Sequence, residues 1–216
     1  MRRLLLATFV LAALCAPRAD AQIIRGGRFG ARDPQVWVSG GAGLQQGFDV
    51  VDGSTGARWE FSDATQYGAA IEKTITGGTS FGVRATTARV PLRYLPTQVG
   101  GGSIEADANV SQAFAVLHVA SGRGLHSVLE LGAGATIYSN FRERGAGTTL
   151  PPEKADLDFS FVFGYGIGYT FSRAFQIDVV QDLATSLHQK TGLSAGDNSS
   201  ARISGTRLVA RYGLGG

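Results

Sequence analysis

Three histidines, His118, His126 and His188, are the residues of this chain best suited to proton transfer near neutral pH, and its carboxylates supply candidate partners. A nucleophile and its base must meet on one face, and along an extended strand the faces alternate residue by residue. His126 and Ser127 are adjacent, so they point to opposite faces. His118 falls near a turn and His188 in a loop, neither with a serine and an acid at strand spacing. A triad assembled from distant positions is recognised by geometry and not by order, so spacing leaves that reading open while naming no catalytic residue. Gly164-Tyr-Gly-Ile-Gly168 and Gly40-Gly-Ala-Gly43 sit inside extended stretches and open no helix, which removes them as phosphate loops. No metal ligand set and no cofactor site are expected.

The element that would carry any such residues is plainest over 156–171, where alternation runs without a break. Leu157, Phe159, Phe161, Phe163, Tyr165, Ile167, Tyr169 and Phe171 share one face, and Asp156, Asp158, Ser160, Val162, Gly164, Gly166, Gly168 and Thr170 the other. A strand in a soluble sandwich runs about 5–6 residues and a tilted bilayer-crossing strand about 9–11. This one is longer than either, so its apolar face is expected to face lipid. A soluble barrel would turn the same strand inside out, with the apolar face inward.

Similar patterns predict eight strands, at 35–46, 58–74, 79–95, 103–120, 125–141, 156–171, 174–187 and 201–214. Short joins at 76–78, 121–124 and 172–173 carry hairpin residues. Longer joins near 47–57, 96–102, 142–155 and 188–200 are rich in Gly, Pro, Asp, Asn, Ser and Thr. Short and long joins alternate strictly, as in barrels whose periplasmic turns are short and extracellular loops long. The stretch 79–95 breaks parity: Phe81, Val83 and Ala85 share one phase and Val90, Leu92 and Tyr94 the other, which predicts a β-bulge near Thr86-Thr87-Ala88.

Residues 1–21 read as an export signal: Arg2-Arg3, an apolar run from Leu4, then Ala19-Asp20-Ala21 before the expected cleavage. Removing its three arginines and one aspartate lowers the formal charge from +3 to +1, so the basic pI gives no case for nucleic acid. The one cysteine, Cys15, leaves with it, which excludes disulfides and thiolate chemistry from the exported chain. Residues 22–33 are expected to be a flexible entry segment and 34–216 the barrel domain. No run of about 18 apolar residues remains for a spanning helix.

The inward parity collects a lumen charge network: Arg58, Glu60, Glu72, Arg84, Arg93, Glu105, Asp107, Glu130, Asp156, Asp158, Asp178, Asp182, Arg207 and Arg211, with Arg89 on the same phase. Charges of both signs in a narrow barrel must pair, because an isolated buried charge costs several kcal/mol, on the order of the desolvation penalty per ion. Tyr169, Phe171, Phe175 and Tyr212 are expected to form an aromatic girdle at the short-turn end, and Trp59, Phe61, Phe141 and Phe159 one at the loop end.

With this alternation of loops and an end at Arg207-Leu-Val-Ala-Arg-Tyr-Gly-Leu214, the chain resembles the small outer-membrane β-barrel family of the OmpA transmembrane domain and OmpX. The resemblance implies an all-β, eight-stranded antiparallel up-and-down transmembrane barrel in the outer membrane of a Gram-negative cell envelope, porin-like in build and monomeric. It also implies outer-membrane lipid and lipopolysaccharide as surroundings, and barrel-assembly machinery that reads the last strand. Leu214-Gly-Gly stands where such strands finish on an aromatic. Lipid A deacylases of similar build use a His-x-Ser spacing that this chain lacks, so no enzyme is expected. A structural or surface-interaction role is expected; the alternatives are a gated small pore, a lipid-modifying enzyme and a soluble periplasmic lipid-binding barrel.

Overall fold

The computed structural model describes residues 33–53, 55–96, 102–120, 124–188 and 200–215. The expected leader at 1–21 lies outside them, as do the entry segment short of Asp33 and most of the joins at 96–102, 121–124 and 188–200. Ten strands are described: β1 (Val36–Gln45), β2 (Phe48–Val51), β3 (Arg58–Phe61), β4 (Ala64–Thr76), β5 (Thr79–Leu95), β6 (Ile104–Ala120), β7 (Gly124–Glu143), β8 (Asp156–Ser172), β9 (Phe175–Leu187) and β10 (Ser200–Leu214). Every pairing is antiparallel. β1, β4, β5, β6, β7, β8, β9 and β10 pair in that order and β10 returns to β1, closing an eight-stranded ring. A closed ring leaves no sheet edge, so its strands satisfy one another's backbone groups as an apolar surrounding requires.

At one end the ring is tied by tight turns. Gly78 takes φ 79° in the β4–β5 hairpin, a conformation open to glycine without steric cost. Gln35 N donates to Leu214 O at 2.9 Å and Gly213 N to Ala174 O at 2.8 Å, which brings β1, β10 and the β8–β9 turn together at this same end.

The strand expected over 58–74 divides. Ser62 and Asp63 interrupt it, and the parity resets: Trp59 and Phe61 are buried before the break, Ala64 and Gln66 after it. β4 ends here while β5 continues to Leu95, so β3 becomes the new neighbour of β5, with Arg58 opposite Leu95 and Phe61 opposite Leu92. β2, inside the expected first loop, completes a small extra hairpin with β3.

The bulge expected near Thr86-Thr87-Ala88 is absent: β5 pairs with β6 without a register shift. Ser80, Arg84, Ala88, Val90, Leu92 and Tyr94 all point inward. What changes along β5 is the surroundings and not the phase. Near the turns the outer face is apolar (Phe81, Val83) and the inner face charged; beyond Thr87 the outer face carries Arg89 and Arg93 and the inner face is apolar. Shifts occur instead between Asp107 and Asn109, opposite β7, and near Thr170/Ser172 and Thr74/Thr76 at the turn end. Beside the first, Asn140 takes φ 56° and is exposed, and its neighbour Phe141 is buried.

The outer face of β8 is exposed along its whole length, from Leu157, Phe159, Phe161 and Phe163 at 41–52 % to Ile167, Tyr169 and Phe171 at 47–60 %, with only Tyr165 half-buried. Leu129, Leu131, Leu183, Leu208 and Tyr212 extend this apolar surface over β7, β9 and β10. At a rise of about 3.3 Å per residue and a tilt of about 40°, Leu157 to Phe171 covers roughly 35 Å along the axis, enough for hydrocarbon and interfaces.

Candidate functional site in the barrel interior

The interior is built in three layers. Nearest the turns, the Arg211 guanidinium lies 4.9 Å from the Trp37 ring centroid and donates to Glu72 Oε2 at 2.6 Å, to Gln176 Oε1 at 2.9 Å and to His118 Nε2 at 2.8 Å. Because that nitrogen accepts, the proton of a neutral His118 sits on Nδ1, which faces Glu130 Oε1 at 2.9 Å. His118 therefore relays between Arg211 and Glu130. Also in this layer, His126 Nδ1 donates to Gly124 O at 2.9 Å, and its Nε2 lies 3.6 Å from Asp178 Oδ1, beyond a good hydrogen bond.

The middle layer spans the bore. Glu130, from β7, accepts from Arg84 of β5 and Arg207 of β10, and Asp182 of β9 accepts from Arg207 Nε at 2.8 Å. Four strands distributed around the ring thus meet through two arginines and two carboxylates, all buried. Buried ions cost several kcal/mol each to desolvate, on the order of what good pairing returns, and here each carboxylate has more than one donor. Gly164 makes room for this layer: a Cβ there would sit 2.9 Å from Asp182 Oδ1 and 3.1 Å from Glu130 Cβ. Gly168 does the same for the layer below, where a Cβ would come within 2.1 Å of Asp178 Oδ1.

Toward the loops a chain of hydroxyls leads to an acid and a histidine. Thr136 Oγ1 and Ser160 Oγ are 2.8 Å apart, Ser160 Oγ donates to Ser186 Oγ at 3.1 Å, and Asp158 Oδ2 bonds His188 Nδ1. Above lies an apolar plug. Phe48 stacks on Phe61 at 4.4 Å, Phe61 meets Tyr138 at 6.0 Å and Phe141 at 6.4 Å, and Val90, Leu92, Trp59 and Leu150 are buried with them.

Of the charges expected inside, Glu72, Arg84, Glu130, Asp158, Asp178, Asp182, Arg207 and Arg211 lie there buried, and Asp156 is half-buried on the same face. Five do not. Arg58, Glu60, Arg93, Glu105 and Asp107 stand on the outer face of the β3, β5 and β6 extensions, with the Arg93 side chain 51 % exposed. They occupy the phase that carries apolar side chains lower on β5 and β6, because above the apolar belt the outer surface meets water. Arg89 stands with them, 3.2 Å from Asp107. Arg144 donates to Asp107 Oδ1 at 2.7 Å and holds that carboxyl below its ordinary value, first through the hydrogen bond and then through its charge. The same inversion corrects the loop-end girdle: Trp59, Phe61 and Phe141 are buried in the plug, and only Phe159 remains outside.

All three histidines are buried in the interior, which reasoning along single strands missed. The signal that could have found them is cross-strand: His118 pairs with Glu130 in the β6–β7 register and His126 with Gly168 in β7–β8.

No protein-family model matches this chain, and no curated protein does. Among solved structures it is similar to Neisserial surface protein A, at 10 % identity and a TM-score of 0.55, over 85 % of this chain and 100 % of that one. Also found are OprG from Pseudomonas aeruginosa, at 12 % identity and 0.48 over 85 % and 95 %, and the Yersinia pestis attachment invasion locus protein Ail, at 15 % and 0.43 over 84 % and 100 %. At these identities the likeness establishes the fold, that of a small eight-stranded outer-membrane β-barrel.

Proposed function

We propose that this chain is an outer-membrane protein, exported with residues 1–21 removed, whose closed barrel spans the lipid and displays its long loops outside in a structural or surface-interaction role. One observation carries the reading: a closed ring with an apolar outer belt around a paired, buried charge network. A soluble lipid-binding barrel needs the opposite arrangement, an apolar inside under a polar outside. The crossing contacts of Glu130 and the aromatic plug favour a filled interior over a gated pore. The remaining surroundings are outer-membrane lipid and lipopolysaccharide. Exposed Arg89, Arg93, Arg142 and Arg144 near the loop end of the belt suit its phosphates, and strand β10 would be the part read by assembly machinery. Monomers without enzymatic activity complete the proposal.

Expression of the full chain in a Gram-negative host tests it. The protein should fractionate with the outer membrane, resist carbonate extraction, migrate differently on gels before and after boiling, and leave planar bilayers without conductance. Recovery from the periplasm without detergent contradicts the location, and stable unitary currents contradict the filled interior.

A further inference from the structure

The loop end of β8 and the residue following β9 bring together an acid–imidazole cluster apart from the arginines of the Glu130 layer. Asp156 and Asp158 lie one turn of the pleat apart on the inner face of β8, and His188 follows β9 beside them; one ligand atom from each falls within 4.8 Å of the others. Asp158 is fully buried and His188 nearly so, whereas Asp156 is half-buried and leaves an approach from the loop side.

A second observation points to a missing occupant. Tyr138 is the cross-strand partner of Asp156, is fully buried, and lays its ring 5.8 Å from the His188 imidazole. Its hydroxyl lies within electrostatic reach of both carboxylates, facing Ser186, yet makes no hydrogen bond of good geometry. His188 Nε2 is likewise buried without a partner. That nitrogen lies across the ring from the one bonded to Asp158, so the Tyr138 hydroxyl is the orphaned atom nearest the carboxylates, and an unmet buried group of this kind forfeits about 1–3 kcal/mol.

We propose that Asp156, Asp158 and His188 form a divalent transition-metal site, of the zinc class, at the loop end of the barrel. Two carboxylate oxygens and one imidazole nitrogen suit zinc, nickel or manganese better than calcium, which takes 6–8 oxygens, or magnesium, which keeps most of its water. Three protein ligands leave a fourth position to water. Bonds of about 2.1 Å set tetrahedral ligand atoms about 3.4 Å apart, so the metal would replace the proton of the Asp158–His188 hydrogen bond and part those two groups, while half-buried Asp156 moves in. The Tyr138 hydroxyl would then face the metal-bound water or a ligating carboxylate, a second-sphere contact of the kind that orients metal ligands. The site would clamp the end of β8 to the end of β9 and so hold the roots of two long loops.

The test uses the tag-free full barrel refolded in detergent, titrated with zinc chloride by calorimetry and followed by thermal unfolding. One zinc per chain and a raised Tm are expected. Affinity should fall at least tenfold in Asp156→Asn and in His188→Ala and remain unchanged in His126→Ala, whose imidazole sits near the opposite end. Asp156 is the member least engaged in packing, and the gel shift on boiling confirms that each variant is folded. Absence of zinc binding by the parent chain, or binding that Asp156→Asn and His188→Ala both retain, overturns the proposal.

Discussion

At the scale of residues, the interior depends on Glu130 more than on any other single carboxylate, because it faces Arg84, Arg207 and His118 together. Removing it strands two buried guanidinium groups that share one remaining acid, Asp182. Glu130→Ala should therefore cost about 3–5 kcal/mol, read as a lower urea midpoint of the refolded barrel. An unchanged midpoint would mean that water and not protein solvates the arginines. Gly168 offers a complementary test. Its side-chain space is taken by Asp178 and His126, so Gly168→Val should reduce refolding yield, while a change at exposed Gly77, where a Cβ meets nothing, should not. The charges of this network were legible as a set because one phase of β7, β9 and β10 collects them. Which charge meets which was not legible, because the partners stand on strands one to four positions apart around the ring, and the spacing along one strand carries no such information.

At the scale of elements, β5 and its neighbours have two regimes of polarity, and this explains where the sequence misled. Over 156–171 every outward residue faces the same surroundings, so alternation alone identifies strand, phase and length. Along β5 the phase is constant while the surroundings change from apolar to aqueous, and constant phase with inverted polarity is indistinguishable, in sequence, from a bulge. Arg93 and Asp107 read as interior residues in the sequence for the same reason. The hairpin β2–β3 is a further consequence of the extension, since its Phe48, Trp59 and Phe61 cover an apolar inner surface that would otherwise be wet. Phe61→Ala should loosen this cap by about 3–5 kcal/mol, the usual core cost. Hydrogen exchange should rise across 48–61 and 90–94 while the β8 amides stay protected. A pH effect belongs to the same region. Asp107 is held below its ordinary value by Arg144, so the contact is present above the unfolded value of about 3.9 and is lost as pH falls through the lowered folded value. Arg144 N donates to Glu105 O and Glu143 N to Thr148 O, and the protection of these amides relative to their intrinsic exchange should fall on acidification. Asp107→Asn should reproduce that loss of protection at neutral pH, and equal protection in both proteins would remove Asp107 as the cause.

At the scale of the whole molecule, the ring order, the filled interior and the outer belt all serve one physical requirement, that no unpaired backbone or charge meet hydrocarbon. The eight-stranded ring was legible because loop lengths alternate by end. The extra hairpin was not, since β2 is only four residues and sits in a stretch rich in Gly and Asp. That the belt faces lipid is the central claim, and spin labels placed singly on the refolded barrel in bilayers address it most directly. The only cysteine, Cys15, lies within the expected leader, so a chain beginning at Gln22 gives an unobstructed background. Labels at Phe161, Phe163 and Ile167 should be relaxed by oxygen, which concentrates in hydrocarbon, and hardly at all by a water-soluble nickel chelate, with the reverse at Arg89 and Arg93. Equal or greater access of the nickel chelate to Phe161, Phe163 and Ile167 would contradict the account.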